Sequence, residues 1–155
     1  MKDPSKKLGP LIDSLREKLG DGLISVVLFG SVARGDDGSA SDVDVFVLAH
    51  ELPENPFDRQ MFLRGLLPKG LGGVSIVAKT KQEFERRLLS LYLDIATDGI
   101  ILFDTDGYME AKLREVREII EASGLRRVMR RGERIWDWEE RPKGRWKVEW
   151  KRNGI

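Results

Sequence analysis

At 155 residues the chain has room for one domain with its own core; it has no cysteine and one histidine, His50, which excludes disulfide scaffolds, thiolate metal sites, thiol catalysis and multi-histidine metal centres. No apolar run approaches the roughly 20 residues that span a bilayer, and Met1 to Lys7 lack the apolar stretch of a secretion signal, so a cytoplasmic location is expected. The formal net charge of +1 hides an acidic body, −5 over residues 1–125, and a basic end, +6 over 126–155, which also carries all four tryptophans.

In chain order, a first helix is expected to run to about Leu19, opening after Asp3 or at Pro10, with Leu11, Ile12, Leu15 and Leu19 on one face. Gly20-Asp21-Gly22 stops it, and Leu23 to Phe29 is a continuous apolar run of buried-strand length. Gly30 to Ser41 is small and polar, a turn with room for a short helix over Ser31 to Arg34. Val43, Val45 and Val47 then alternate with Asp42, Asp44 and Phe46, the period of a second strand. Asn55-Pro56 opens an element with Phe57, Met61 and Phe62 as its apolar stripe, closed by Pro68-Lys69-Gly70, and Val74 to Ala78 is a third strand. Thr80-Lys81-Gln82-Glu83 has capping-box spacing and predicts one long helix, its buried face formed by Phe84, Leu88, Leu91, Tyr92 and Ile95, with Gly99 closing it. After a short strand from Ile100 to Phe103, Asp106 is placed to cap a helix with Met109, Leu113, Val116 and Ile120 in register and Gly124 at its end. Beyond it, Arg134 to Trp138 and Arg145 to Trp150 predict a hairpin about Pro142-Lys143-Gly144. The class is α/β, with residues 1–124 as the body and 125–155 as a basic, tryptophan-rich extension.

Chemistry is concentrated between Leu28 and Val45. Asp42 and Asp44 stand two apart on a strand, so both side chains leave from the same face, and no basic residue lies between them. A divalent cation makes that arrangement favourable, and magnesium takes a few carboxylates together with phosphate oxygens and water. Just before them, Gly30 permits a tight turn and close approach of a ligand, while Ser31 offers a hydroxyl and a main-chain N–H at a helix start, where phosphate is attracted. A phosphate-binding turn followed by a metal-binding strand is a nucleotide-handling layout.

Gly30-Ser31-x-Ala33-Arg34-Gly35 with Ser41-Asp42-x-Asp44 resembles the minimal nucleotidyltransferases (MNT) of the DNA polymerase beta superfamily, over about residues 23 to 104. The resemblance implies a mixed sheet flanked by helices, and transfer of a nucleoside monophosphate from a triphosphate to a hydroxyl with release of pyrophosphate. It implies that Gly30 and Ser31 hold the β and γ phosphates and that Asp42 and Asp44 are catalytic and hold two magnesium ions. For Arg34 two roles stand open: a contact to phosphate or acceptor, or an ion pair with Asp36 or Asp37. Active members carry a third carboxylate on the strand after the next helix, and here Ser75 occupies that place, which implies impaired catalysis. Asp104 is either a substitute carboxylate or a capping residue.

Elsewhere the expectations are plainer. His50 is expected at the surface, and Asp94 and Asp98 in solvent on the long helix. Trp136, Trp138, Trp146 and Trp150, spaced by two and four, are expected to pack on the body or a second subunit in preference to stacking on nucleic-acid bases. The resemblance also brings an alternative in which the chain is a non-catalytic, antitoxin-like module paired with a helical HEPN-type protein, or a homodimer; a nucleic-acid binder acting through the basic end is a third. The charged fraction of 34%, against two Asn and two Gln, is the balance expected of a thermophilic source.

Overall fold

The computed structural model describes residues 4–35, 42–143 and 148–151. Two helices, α1 (Pro4–Lys7) and α2 (Gly9–Leu19), lead into β1 (Leu23–Phe29). Pro10 lies in the first turn of α2, where its missing N–H has no intrahelical partner to lose, and Leu11 and Leu15 are buried. Then follow α3 (Gly30–Arg34), β2 (Val43–Ala49), α4 (Pro56–Leu66), β3 (Val74–Thr80), α5 (Lys81–Arg86), α6 (Ser90–Asp98), β4 (Ile100–Asp104), α7 (Tyr108–Ser123), β5 (Leu125–Arg130) and β6 (Glu133–Trp138). The main sheet runs β3-β2-β1-β4; β1 is antiparallel to both neighbours and β2 is parallel to β3, so the sheet is mixed and flanked by helices.

Strand alternation sorts the core into two layers. Val43, Val45 and Val47 join Leu11, Leu15, Leu63 and Leu66 of α2 and α4 on one face. Phe46 and Leu48 join Phe84, Tyr92, Ile95, Met109, Leu113 and Val116 of α5, α6 and α7 on the other. Asp42 and Asp44 are in step with Phe46 and Leu48 and so belong to this second face, at the end of β2 where the cover thins: Asp44 is half-buried and Asp42 exposed.

Several elements differ from the sequence expectation. α4 buries Leu63 and Leu66, whereas Phe57 and Met61 are 71% and 53% exposed. The single helix expected after Thr80 is two, because the backbone is extended at Arg87 (φ −147°, ψ 135°) and at Leu89 (φ −89°, ψ 153°). The capping box itself is present, with Thr80 and Glu83 exchanging side-chain to backbone hydrogen bonds. Interrupting the helix leaves the Phe84 carbonyl free to accept the Trp150 Nε1–H at 2.8 Å. Asp104, not Asp106, caps α7: its two oxygens accept the N–H groups of Met109 and Glu110, each at 2.9 Å. Asp106 instead takes a left-handed backbone with φ 55°.

The C-terminal hairpin is displaced from its expected position. Its strands are β5 and β6 and its turn is Arg131-Gly132, both at positive φ (51° and 79°), the conformation that suits a two-residue hairpin turn. The strand expected over Arg145 to Trp150 falls partly outside the described residues, as do Gly144 and Trp146. The tryptophans that are described pack inward. The Trp136 Nε1–H donates to Asp94 at 3.0 Å, Trp138 borders the second core layer, and the Trp150 ring lies 5.0 Å from Phe84 and 6.2 Å from Tyr92. Among the described residues no helix is long and apolar enough to cross a membrane.

Candidate active site

The site begins where β1 ends. Phe29 is extended, Gly30 turns at φ 79°, and α3 starts at once, which leaves no room for a side chain at the turn. A Cβ on Gly30 would collide with Oδ2 of Asp44, so the Asp44 carboxylate lies directly over the bare Cα. Asp44 is opposite Phe29 in the β1–β2 ladder and opposite Ser75 in the β2–β3 ladder. Two residues earlier, Asp42 lies against Gly73, where a Cβ would stand 3.5 Å from Oδ1, and the Val43 N–H donates to the Gly73 carbonyl at 2.7 Å. One corner therefore gathers Gly30, Ser31, Asp42, Asp44 and Ser75 on the second face of the sheet.

Its electrostatics are unbalanced. Burial, and then the negative charge of Asp42, push the Asp44 carboxyl above its usual range, and the positive charge of Arg34 offsets only part of this. Two adjacent carboxylates that repel one another suit a divalent cation. Among the described residues no group of three acidic, histidine or cysteine side chains surrounds an ion position. The donors present fit an ion that keeps part of its water shell and takes further oxygens from a phosphate, as magnesium does.

Arg34, the last residue of α3, reaches α6. Its Nη1 approaches Oδ2 of Asp98 at 3.4 Å; the partners Asp36 and Asp37 weighed from the sequence lie outside the described residues. Asp98 is not solvated as expected, since its side chain is only 9% exposed and Arg127 of β5 grips it with both arms. Asp94, one turn earlier, receives Arg127 at 3.3 Å as well as the indole of Trp136. Sequence reasoning missed this network. One signal for it was available: like charges four apart on a helix repel and call for a cation from elsewhere.

The remaining candidates fall outside the site. Asp104 pairs with Ser25 toward the far end of β1 and spends both oxygens on the α7 cap, so it is no third carboxylate here. His50 is exposed at the distal end of β2, its N–H bonded to the Gly22 carbonyl at 2.8 Å.

A mixed sheet flanked by helices, with a glycine turn and two neighbouring carboxylates at one corner, is the arrangement on which the family assignment bears. The family model of the nucleotidyltransferase domain matches residues 10–126, and the chain belongs to that family. It is 31% identical over 118 residues to a Methanocaldococcus jannaschii protein named as a protein adenylyltransferase, with 73% of this chain and 80% of that one covered. Among solved structures it is similar to a toxin–antitoxin chain crystallised with AMP-PNP, at TM-score 0.55 and 23% identity, covering 76% of this chain and 87% of that one. It is also similar to a chain of the Shewanella oneidensis complex of a tri-AMPylated HEPN toxin with its MNT antitoxin, at TM-score 0.54 and 20% identity, covering 77% and 88%. At these identities the solved structures show a shared fold.

Proposed function

We propose that this chain binds a magnesium–nucleoside triphosphate at the corner of Gly30, Asp42 and Asp44 and transfers its nucleoside monophosphate to a protein hydroxyl. The observation that carries this reading is the Asp44 carboxylate, half-buried over the bare Cα of Gly30 beside Asp42, with a charge that Arg34 offsets only in part. Adenosine as the nucleoside and a helical HEPN-type protein as the acceptor are supported by the names of the relatives. The same reading takes residues 1–124 as the transfer unit and 125–155 as its buttress, working in the cytoplasm.

In the transfer the acceptor oxygen bonds to the α-phosphorus, the bond from that phosphorus to the bridging oxygen breaks, and pyrophosphate departs. Asp42 and Asp44 would hold magnesium, which when bound neutralises triphosphate charge and stabilises the attacking and leaving oxygens. Gly30 brings the backbone close to the phosphates, Ser31 supplies its N–H and hydroxyl, and Arg34 adds a positive charge from the last turn of α3. Ser75, in register beside Asp44, is a neutral hydroxyl and takes the acceptor proton poorly, so the proton passes to water or to an aspartate.

That same Ser75 favours a second reading, a module that keeps nucleotide and a HEPN-type partner bound without transfer. Incubating the purified chain with each labelled triphosphate and magnesium, with and without a HEPN-type protein of the same source, separates the two. Label from ATP on protein is expected. Magnesium–ATP bound with no label on any acceptor supports the second reading, and label on RNA assigns a different acceptor.

A further inference from the structure

The start of α7 sets a hydroxyl beside a carboxylate. Tyr108 is the first residue of α7 and Glu85 lies in the last turn of α5; the Tyr108 hydroxyl donates to Oε1 of Glu85 at 2.5 Å. One helical turn from each stands a lysine, Lys112 after Tyr108 and Lys81 before Glu85, with Nζ atoms 5.9 and 5.2 Å from the centre of the Tyr108 ring. Glu85 is exposed and Tyr108 half-buried, so the pair lies at the surface. Among the described residues, the hydroxyls of Ser25, Thr97, Thr105 and Ser123 donate instead to main-chain carbonyls, which take up no proton, and the Tyr92 hydroxyl is buried without a partner. Burial, then the hydrogen bond and charge of Glu85 and the charge of Glu115, hold the Tyr108 phenol above its usual range, so it keeps its proton until a bond forms at the oxygen.

We propose that Tyr108 is an acceptor for nucleotidyl transfer from a second copy of this chain, with Glu85 as the base that the donor site lacks at Ser75. This rests on the transfer reading above and names an acceptor hydroxyl for it. The Tyr108 oxygen bonds to the α-phosphorus of the triphosphate held by the other copy, and the bond from that phosphorus to the bridging oxygen breaks. Pyrophosphate leaves, and the hydroxyl proton passes to Glu85. The base thus arrives with the acceptor, in place of the water or aspartate that a hydroxyl without one needs. Lys81 and Lys112 carry positive charge toward the phosphates as the acceptor approaches. The donor is another copy because Tyr108 stands toward the far end of the sheet. Asp104 is opposite Ser25, and Phe29, which adjoins Gly30, is four residues along β1, about 13 Å at the rise of a strand. Tyr108 lies beyond Asp104, past the turn over Thr105–Gly107.

The test incubates the full chain with magnesium and ATP labelled in the α-phosphate, and locates the modified residue by mass spectrometry. AMP on Tyr108 is expected, at a rate that rises with protein concentration. The Asp42→Asn/Asp44→Asn chain, unable to donate, should gain AMP at Tyr108 when a trace of wild type is added. Tyr108→Phe, which keeps the ring and its packing, should remove the label from the chain. Glu85→Gln should slow single-turnover labelling about a hundredfold or more, the usual worth of a general base. In a Ser75→Asp background, where the donor supplies a carboxylate, the same substitution should cost less; a packing role for Glu85 would leave the cost unchanged and so overturn the proposal. Label only at other residues of the chain, or label on Tyr108 at the full rate in Glu85→Gln, also overturns it. An unlabelled chain beside a labelled HEPN-type protein overturns it and leaves the transfer reading standing. No label on either protein overturns both.

Discussion

Two pairs of aspartates lie on the same side of the sheet, and the fold treats them oppositely. Asp94 and Asp98 on α6 are met by Arg127, by Arg34 and by the indole N–H of Trp136. Burial alone would raise the Asp98 carboxyl, but the hydrogen bonds and charges of Arg127 and Arg34 outweigh it and hold the group below its usual range. At Asp44 the positive charge of Arg34 offsets only part of the burial and of the repulsion from Asp42, and the carboxyl stays above its usual range. The difference is one of compensation: the pair on α6 finds its cations within the chain, while the pair at Asp42 and Asp44 keeps a repulsion that a bound cation would relieve.

The largest effect comes from sharpening the uncompensated pair. Ser75→Asp places a third carboxylate opposite Asp44 in the β2–β3 ladder and should raise single-turnover transfer at saturating magnesium by about a hundredfold or more, the usual worth of a general base. Unchanged transfer in that variant would show that the base lies elsewhere. Breaking the compensated pair costs stability instead. Asp98→Ala should lower unfolding free energy by about 2–3 kcal/mol, under the figure for a fully buried pair because both arginines keep some water, and urea denaturation measures it.

The pH dependence of the same contribution has a definite sign. The folded pKa of Asp98 is depressed, so its stabilisation is complete above the ordinary carboxylate range and fades as pH falls through the depressed folded value. The stability gap between wild type and Asp98→Asn should stay level from pH 7 to about 5 and shrink below about pH 4. The smallest effect is the inverse one at the other pair. Asp44→Asn relieves repulsion with Asp42 and should raise the melting temperature slightly in the absence of metal, a gain of about 0.5 kcal/mol for a partly exposed pair. A lower melting temperature would mean that Asp44 serves the fold after all.

Much of the site was legible because its signals are local. The apolar run Leu23 to Phe29 matches β1 residue for residue, Asp44 lies on the strand expected with Asp42 just before it, and the Thr80–Glu83 capping box is formed. What escaped reading depends on distant partners. Nothing between Arg87 and Leu89 is glycine or proline, so the helix there is interrupted by the packing of Phe84, Tyr92 and Trp150 rather than by a breaker. The hairpin was misplaced because tryptophan spacing and Pro142-Lys143-Gly144 outweighed the shorter signal of Arg131-Gly132 between two alternating runs. Asp98 looked solvated because its arginines are 29 and 64 residues away in the chain.

The central claim, that Asp42 and Asp44 form one metal–triphosphate site, is tested most directly by titrating ATP into the chain with and without magnesium, for wild type and for Asp42→Asn/Asp44→Asn. The account predicts magnesium-dependent binding in wild type and a loss of about a hundredfold or more in the double variant, since even residues behind a metal ligand are worth about 10- to 100-fold in metal affinity. Equal affinity in the two proteins, with both folded, would contradict it.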